Sequence, residues 1–154
     1  MNNQRKFSFC LSSALLFILF LIQPERTIAQ RVSKLTITDN LSAASALSYG
    51  TPKPAAPRDQ FVLNGDKGAK VLVYLQLEPD SSLPAGFQFR YLVNRMVASK
   101  EEWVDERVLP VKSTAKYSMA AFTLFDPGRY HFVVTDQADE HKVYAEGWAT
   151  VIQP

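Results

Sequence analysis

The chain has a single cysteine, Cys10, among 154 residues, and only two histidines and six glycines. Cys10 sits in an apolar N-terminal stretch that is expected to be removed. The remaining chain would then carry no thiol, which excludes a disulfide, a zinc–thiolate cluster and a cysteine nucleophile. A domain of this kind outside the cell must be held by its core alone. That is more usual for a bacterial periplasmic or surface protein than for an animal secreted one. There is no Gly-rich phosphate loop, no Gly-x-Ser-x-Gly elbow and no paired-carboxylate element of glycosidase type. Charge of one sign is also lacking. Taking Arg5, Lys6 and Arg26 from the 17 Lys+Arg, and Glu25 from the 15 Asp+Glu, leaves 14 of each in the mature part. A neutral net charge argues against the clustered cations that nucleic acid or anionic lipid would require.

What is present begins with an export signal. Arg5 and Lys6 precede an uncharged, mostly apolar run from Phe7 to Ile22. Gln23, Pro24, Glu25 and Arg26 break it, and Thr27-Ile28-Ala29 offers a small-x-small cleavage site before Gln30. The run is shorter than the ~20 apolar residues a membrane span needs, so a membrane is expected only through an uncleaved signal. Residues 1–29 are thus read as a signal peptide, and the mature chain is expected to be exported to the periplasm, the cell surface or the medium. Asn40-Leu41-Ser42 is a glycosylation sequon that matters only in a eukaryotic host.

Residues 30–58 form an N-terminal arm and a Pro/Ala-rich linker. Alternation predicts a short strand from Ser33 to Thr38, either a mobile arm or an edge strand of the main domain. Asn40 is placed to cap a short helix over Leu41 to Leu47. Gly50, Pro52, Pro54 and Pro57 then interrupt regular structure. From 59 to 154 strand signals recur every 8–12 residues, with little helix. Val71, Val73, Leu75 and Leu77 share one face, as do Phe87, Phe89, Tyr91 and Val93, and Tyr130, Phe132 and Val134. Segments over Gln60–Asn64, Lys70–Glu78, Phe87–Val97, Arg107–Val111, Tyr117–Phe125, Arg129–Asp136 and Lys142–Ile152 make about seven strands. Ser99 to Glu106 reads as a charged excursion carrying Trp103. That count and spacing predict an all-β, antiparallel sandwich or barrel.

The run Asp126-Pro127-Gly128-Arg129-Tyr130-His131-Phe132 narrows the choice. Pro127 presets φ for a turn, Gly128 accepts a positive φ, and Tyr130 points inward. The run resembles the Asp-x-Gly-x-Tyr-x-Cys corner of immunoglobulin-like and fibronectin type III-like sandwiches, with Phe132 in place of the cysteine. The resemblance implies that the Tyr130 hydroxyl bonds a backbone group at the corner. It also implies that Val71 or Val73 takes the place of the second cysteine, so that apolar packing replaces the inter-sheet disulfide.

No constellation carries covalent chemistry. Alternation turns His131 outward as a solvated strand residue. His141, with Asp136, Asp139 and Glu140, occupies a polar turn whose spacing matches no metal motif. Neither a catalytic residue, a cofactor nor a metal is therefore expected, and the protein is read as a non-enzyme. Candidate contact residues are aromatic. If Val143, Ala145, Ala149 and Val151 face the core, Tyr144 and Trp148 stand on the outer sheet face. The alternative is a bulge at Gly147 that turns Trp148 inward. Trp103 either caps one end of the sandwich or anchors a ligand. The expected activity is that of a binding or structural module of the cell envelope or extracellular space, with a protein or glycan partner. A carbohydrate-binding accessory domain using these aromatics is the alternative, and a small exported enzyme the more remote one.

Overall fold

A computed structural model describes residues 32–42, 52–78 and 83–154. The segment read as an export signal, its expected cleavage site and Cys10 lie outside the described residues, as does most of the helix expected over 41–47. Leu41, at its start, makes an isolated antiparallel bridge with Pro54.

Eight strands run in the order β1 Val32–Thr38, β2 Gln60–Val62, β3 Ala69–Leu77, β4 Gln88–Val97, β5 Lys100–Pro110, β6 Tyr117–Leu124, β7 Gly128–Asp136 and β8 Val143–Ile152. A 3-10 turn over Gly65–Lys67 links β2 to β3. The strands form two sheets, β1-β3-β6 and β2-β8-β7-β4-β5. Every pairing is antiparallel except β2 with β8.

The core lies between the sheets. Val71, Val73, Leu75 and Leu77 meet Phe89, Tyr91, Val93, Tyr130, Phe132 and Val134, all buried. These are the apolar positions of alternating strands, and their burial is the main driving force for the layer. Phe122 and Phe132 pack across it with ring centroids 6.3 Å apart. Burial raises the pKa of the Tyr91 hydroxyl, and Ser118 offsets part of that without reaching hydrogen-bond geometry.

The corner is formed as its residues imply. Tyr130 is 1% exposed and its hydroxyl donates to the Asp126 carbonyl at 2.8 Å. Gly128 has φ +152°, and a Cβ there would meet the Arg95 side chain at 3.2 Å. Arg95 in turn bridges the Asp126 carboxylate at 2.7 Å. Two packed sheets with this corner make the domain an immunoglobulin-like sandwich.

β1 is an edge strand. It pairs with β3 from Val32 to Thr38. Its inner side chains also reach the other sheet: a Cβ at Gly147 would lie 2.9 Å from Ile37 Cδ1 and 3.0 Å from Leu35 Cδ2. Gly147 is therefore the seat of a close approach. The bulge in β8 lies elsewhere, between the Val134–Ala145 and Thr135–Val143 pairs.

The charged excursion expected over Ser99–Glu106 is strand instead, continuous with the segment after it. β4 and β5 form a long hairpin joined at Ala98 and Ser99, with φ +46° and +67°. Two consecutive positive φ values belong to the tight hairpin turn that matches strand twist. A register shift at Val93/Asn94 leaves one residue of β5, Val104, without a partner in β4, which breaks the period-2 pattern there. The long edge strand β5 is guarded by charge and by Pro110.

Candidate functional site

The two outer faces of the sandwich are treated differently by the chain. On the three-stranded sheet, Thr36, Thr38 and Tyr74 point away from the core yet are buried. The Pro-rich segment 52–58 lies over them. The Tyr74 hydroxyl donates to the Pro52 carbonyl at 2.9 Å, and Thr38 Oγ1 donates to the Ala56 carbonyl at 3.1 Å. Backbone bonds from Ala55 N–H to the Asn40 carbonyl and from Arg58 N–H to the Ile37 carbonyl fix the segment at both ends. An Arg58–Asp39 ion pair at 3.0 Å adds to the second of these. Tyr74 stacks on Tyr117 beside it, centroids 5.6 Å apart.

The outer face of the five-stranded sheet has no such cover among the described residues. Among the described residues seven large apolar side chains are exposed: Val62, Trp103, Val108, Phe125, Val143, Trp148 and Ile152. Register places all but Phe125 on this one face. Val62 pairs with Ile152, Val108 with Arg90, Val143 with Thr135, and Trp148 with His131. Monomers scatter such residues singly, so their collection on one face marks it out.

At its centre, Trp148, His131, Asn94 and Trp103 stand side by side on β8, β7, β4 and β5. Trp148 is 37% exposed and Trp103 65%. The His131 ring is parallel to the Trp148 indole with centroids 4.1 Å apart, and the Arg129 guanidinium lies 4.4 Å from the same ring. Asn94 Nδ2 donates to Glu101 Oε2 at 2.9 Å, while His131 Nδ1 faces Glu101 Oε1 at 2.8 Å. A carboxylate can only accept, so Nδ1 carries the proton in that bond. His131 Nε2 lies 3.4 Å from Glu146 Oε2, outside hydrogen-bond geometry.

Three residues, His131, Tyr144 and Val143, are placed differently from the alternation argument. His131 is not a solvated strand residue; its side chain is only 12% exposed, covered by Trp148 and Glu101. Tyr144 does not stand beside Trp148. The bulge turns it toward the core, where it meets Phe87 and Phe89 edge-on at 5.9 and 5.2 Å. Val143, expected inside, is consequently 51% exposed. Trp103 caps nothing; it projects from the middle of β5, with no aromatic ring or cation packed on it among the described residues. Asn94, Glu101, Val108 and Val143 join the face without a sequence signal of their own, since only strand register assembles them.

The polar turn between β7 and β8 behaves as a turn. Asp136 and Asp139 accept backbone N–H bonds from Ala138 and His141. Among the described residues, no group of three or more His, Cys, Asp or Glu side chains is placed to hold a metal ion.

No protein family and no curated protein sequence matches the chain. Solved structures with a similar chain path include an immunoglobulin-like protein from Pseudomonas aeruginosa. It is 14% identical, with 82% of this chain and 99% of that one covered and a TM-score of 0.48. A β-glucosidase from Listeria innocua is 10% identical over 80% of this chain, with a TM-score of 0.41; the match spans 16% of that enzyme. A CARDB domain from Pyrococcus furiosus, solved in complex with di-metal ions, is 14% identical over 77% of this chain and 88% of its own, with a TM-score of 0.39. At these identities the likeness concerns the chain path alone.

Proposed function

We propose that the protein is an exported, non-catalytic binding module that works by surface contact through the outer face of its five-stranded sheet. One observation carries the proposal. The Pro-rich segment covers one outer face, and the other carries six of the seven large apolar side chains exposed among the described residues. Aromatic anchors framed by polar neighbours are the usual composition of an interface centre. Export rests on the N-terminal sequence, with its charged start, short apolar run and cleavage pattern ahead of Gln30.

A protein surface suits this face better than a sugar. Stacking on a pyranose needs free aromatic faces. Trp148 already engages the His131 ring and the Arg129 guanidinium, and Tyr144 is packed against Phe87 and Phe89. Of the three aromatics only Trp103 remains an open platform, which is little for a glycan chain and ample for a protein anchor.

The test places a photo-crosslinking amino acid at position 103 or, as a control, at position 34 on β1. Irradiation of expressing cells should give an adduct from 103 and none from 34. Absence of any adduct from 103 would refute the binding face. Mass spectrometry of the same material should find a chain beginning at Gln30, and an intact Met1 in a membrane pellet would refute export with cleavage.

A further inference from the structure

We infer that the free edge of β6 takes an extended, uncharged peptide segment of another protein as an added strand. This is a second surface, on the smaller sheet, and does not rest on the face described above. The backbone sets it up. The Leu77 N–H donates to the Lys116 carbonyl at 3.0 Å, and the register runs unbroken from Gln76–Tyr117 to Ala69–Leu124. Bonded pairs alternate along an antiparallel ladder, so the N–H and C=O groups of Ser118, Ala120, Phe122 and Leu124 face β3. Those of Tyr117, Met119, Ala121 and Thr123 point the other way. β6 is the outermost strand of its sheet, so no strand among the described residues meets them.

An open edge is a hazard that proteins blunt, and the other three edges of this sandwich are blunted. β5 carries Lys100, Glu101, Glu102, Asp105, Glu106 and Arg107, with a register shift and Pro110 besides. β2 is only three residues long. β1 has Lys34 and a register shift near its start, and its Ile37 carbonyl accepts the Arg58 N–H at 2.8 Å. β6 has no charged residue, no proline, no glycine and no bulge. A specific occupant turns such an edge from a hazard into a site.

What the edge offers defines that occupant. Four residues each present a donor and an acceptor, spread over about 20 Å, a row that an extended backbone of about seven residues matches. The side chains beside these groups are uncharged: Tyr117 stacked on Tyr74, half-buried Met119, and exposed Ala121 and Thr123. A charged segment would lose hydration there and find no counter-charge, so an uncharged one is favoured. Phe125, just past the strand, is 65% exposed and is the one such side chain absent from the other face. It supplies an apolar anchor at the end of the row. A second copy suits the edge poorly. Arg107 of β5 lies 5.6 Å from the Phe122 ring centre, so β5 borders the same opening in the other layer. Pairing β6 with β6 would bring a second β5 against the first, acids against acids. A single peptide strand brings no second layer.

Amide hydrogen exchange, read residue by residue by NMR on the protein recovered from expressing cells, tests the inference. The probe is an acetylated and amidated peptide of about seven alternating Thr and Val residues, with a lysine pair at one end for solubility, added to about 1 mM. Exchange at Tyr117, Met119, Ala121 and Thr123 should slow at least about tenfold, while Ser118, Ala120 and Phe122, already bonded to β3, should not change. Ala121→Lys puts a charge on the edge, and Ala121→Pro removes a free N–H without touching the bonds to β3. Each should weaken the peptide at least about tenfold, and the lysine variant stands if the proline variant fails to fold. Trp103→Ala should leave the protection as it is. No slowing at the four amides would overturn the inference, as would slowing indifferent to both Ala121 variants or lost in Trp103→Ala. Amides already protected in the free chain would show an edge filled from within. Protection that grows with the chain's own concentration would install a second copy. Either result would also overturn it.

Discussion

Replacing Tyr130 separates the two contributions of the corner. The hydroxyl donates one bond at 2.8 Å to a backbone carbonyl, and the ring is 1% exposed. Tyr130→Phe keeps the ring and deletes the bond. The freed acceptor belongs to Asp126, an exposed residue, so water can reach it and the loss should sit near the low end of the range, about 1 kcal/mol. Tyr130→Ala also empties a core site between the sheets, for which about 3–5 kcal/mol is expected. With a urea slope of about 2 kcal/mol/M, the midpoint should fall by about 0.5 M for Phe and about 2 M for Ala, the slope itself unchanged. Asp126→Ala is the control. It preserves the accepting carbonyl and removes an ion pair to Arg95 whose carboxylate is largely exposed, so it should cost no more than about 0.5 kcal/mol. Urea unfolding followed by tryptophan fluorescence measures all three. A Phe variant as damaging as the Ala variant would refute the division of roles, and two harmless variants would refute the corner itself.

Trp148→Ala should cost about 0.5–1.5 kcal/mol, because it removes a stacked imidazole contact and a cation over the ring. Trp103→Ala should stay within about 0.5 kcal/mol, and equal losses in urea unfolding would show that the two tryptophans are not held differently. Gly147→Ala should lower stability by about 1–3 kcal/mol, since its Cβ would press on Ile37 and Leu35; the double variant with Ile37→Val should recover part of it, and independence of the two would refute the close approach. The pH dependence lies on the alkaline side. Burial raises the hydroxyl pKa of Tyr74, Tyr91 and Tyr130 above 10.0. The unfolded chain therefore loses these protons first, so stability is complete below about pH 10 and declines as pH rises beyond it. Tyr91→Phe should flatten that decline in alkaline unfolding curves, and an unchanged slope would refute it.

Much of the architecture was legible because burial in a sandwich imposes a period of two. Val71 to Leu77, Phe89 to Val93 and Tyr130 to Val134 each write that period directly, and a turn carried by Asp126, Pro127 and Gly128 announces the corner. The same rule misled where a strand departs from it. Tyr144 sits at a bulge, so one extra residue sends it inward and exposes Val143. β5 also carries a register shift and opens after Ala98-Ser99, a pair without the usual hairpin residues. Its first half therefore reads as a solvated loop, although the Trp103 it carries is the most open aromatic on the face.

Local chemistry alone determined the all-β class, the inward sets of the central strands and the tyrosine corner. Each follows from residue type and short-range spacing. Only the tertiary structure decided that the Pro-rich segment covers one outer face and that β1 closes an edge of the smaller sheet. It alone brought Trp148, His131, Asn94 and Trp103 into one row. Those four residues come from four strands, and what joins them is hydrogen-bond register, a property of pairing between distant segments that no single segment encodes.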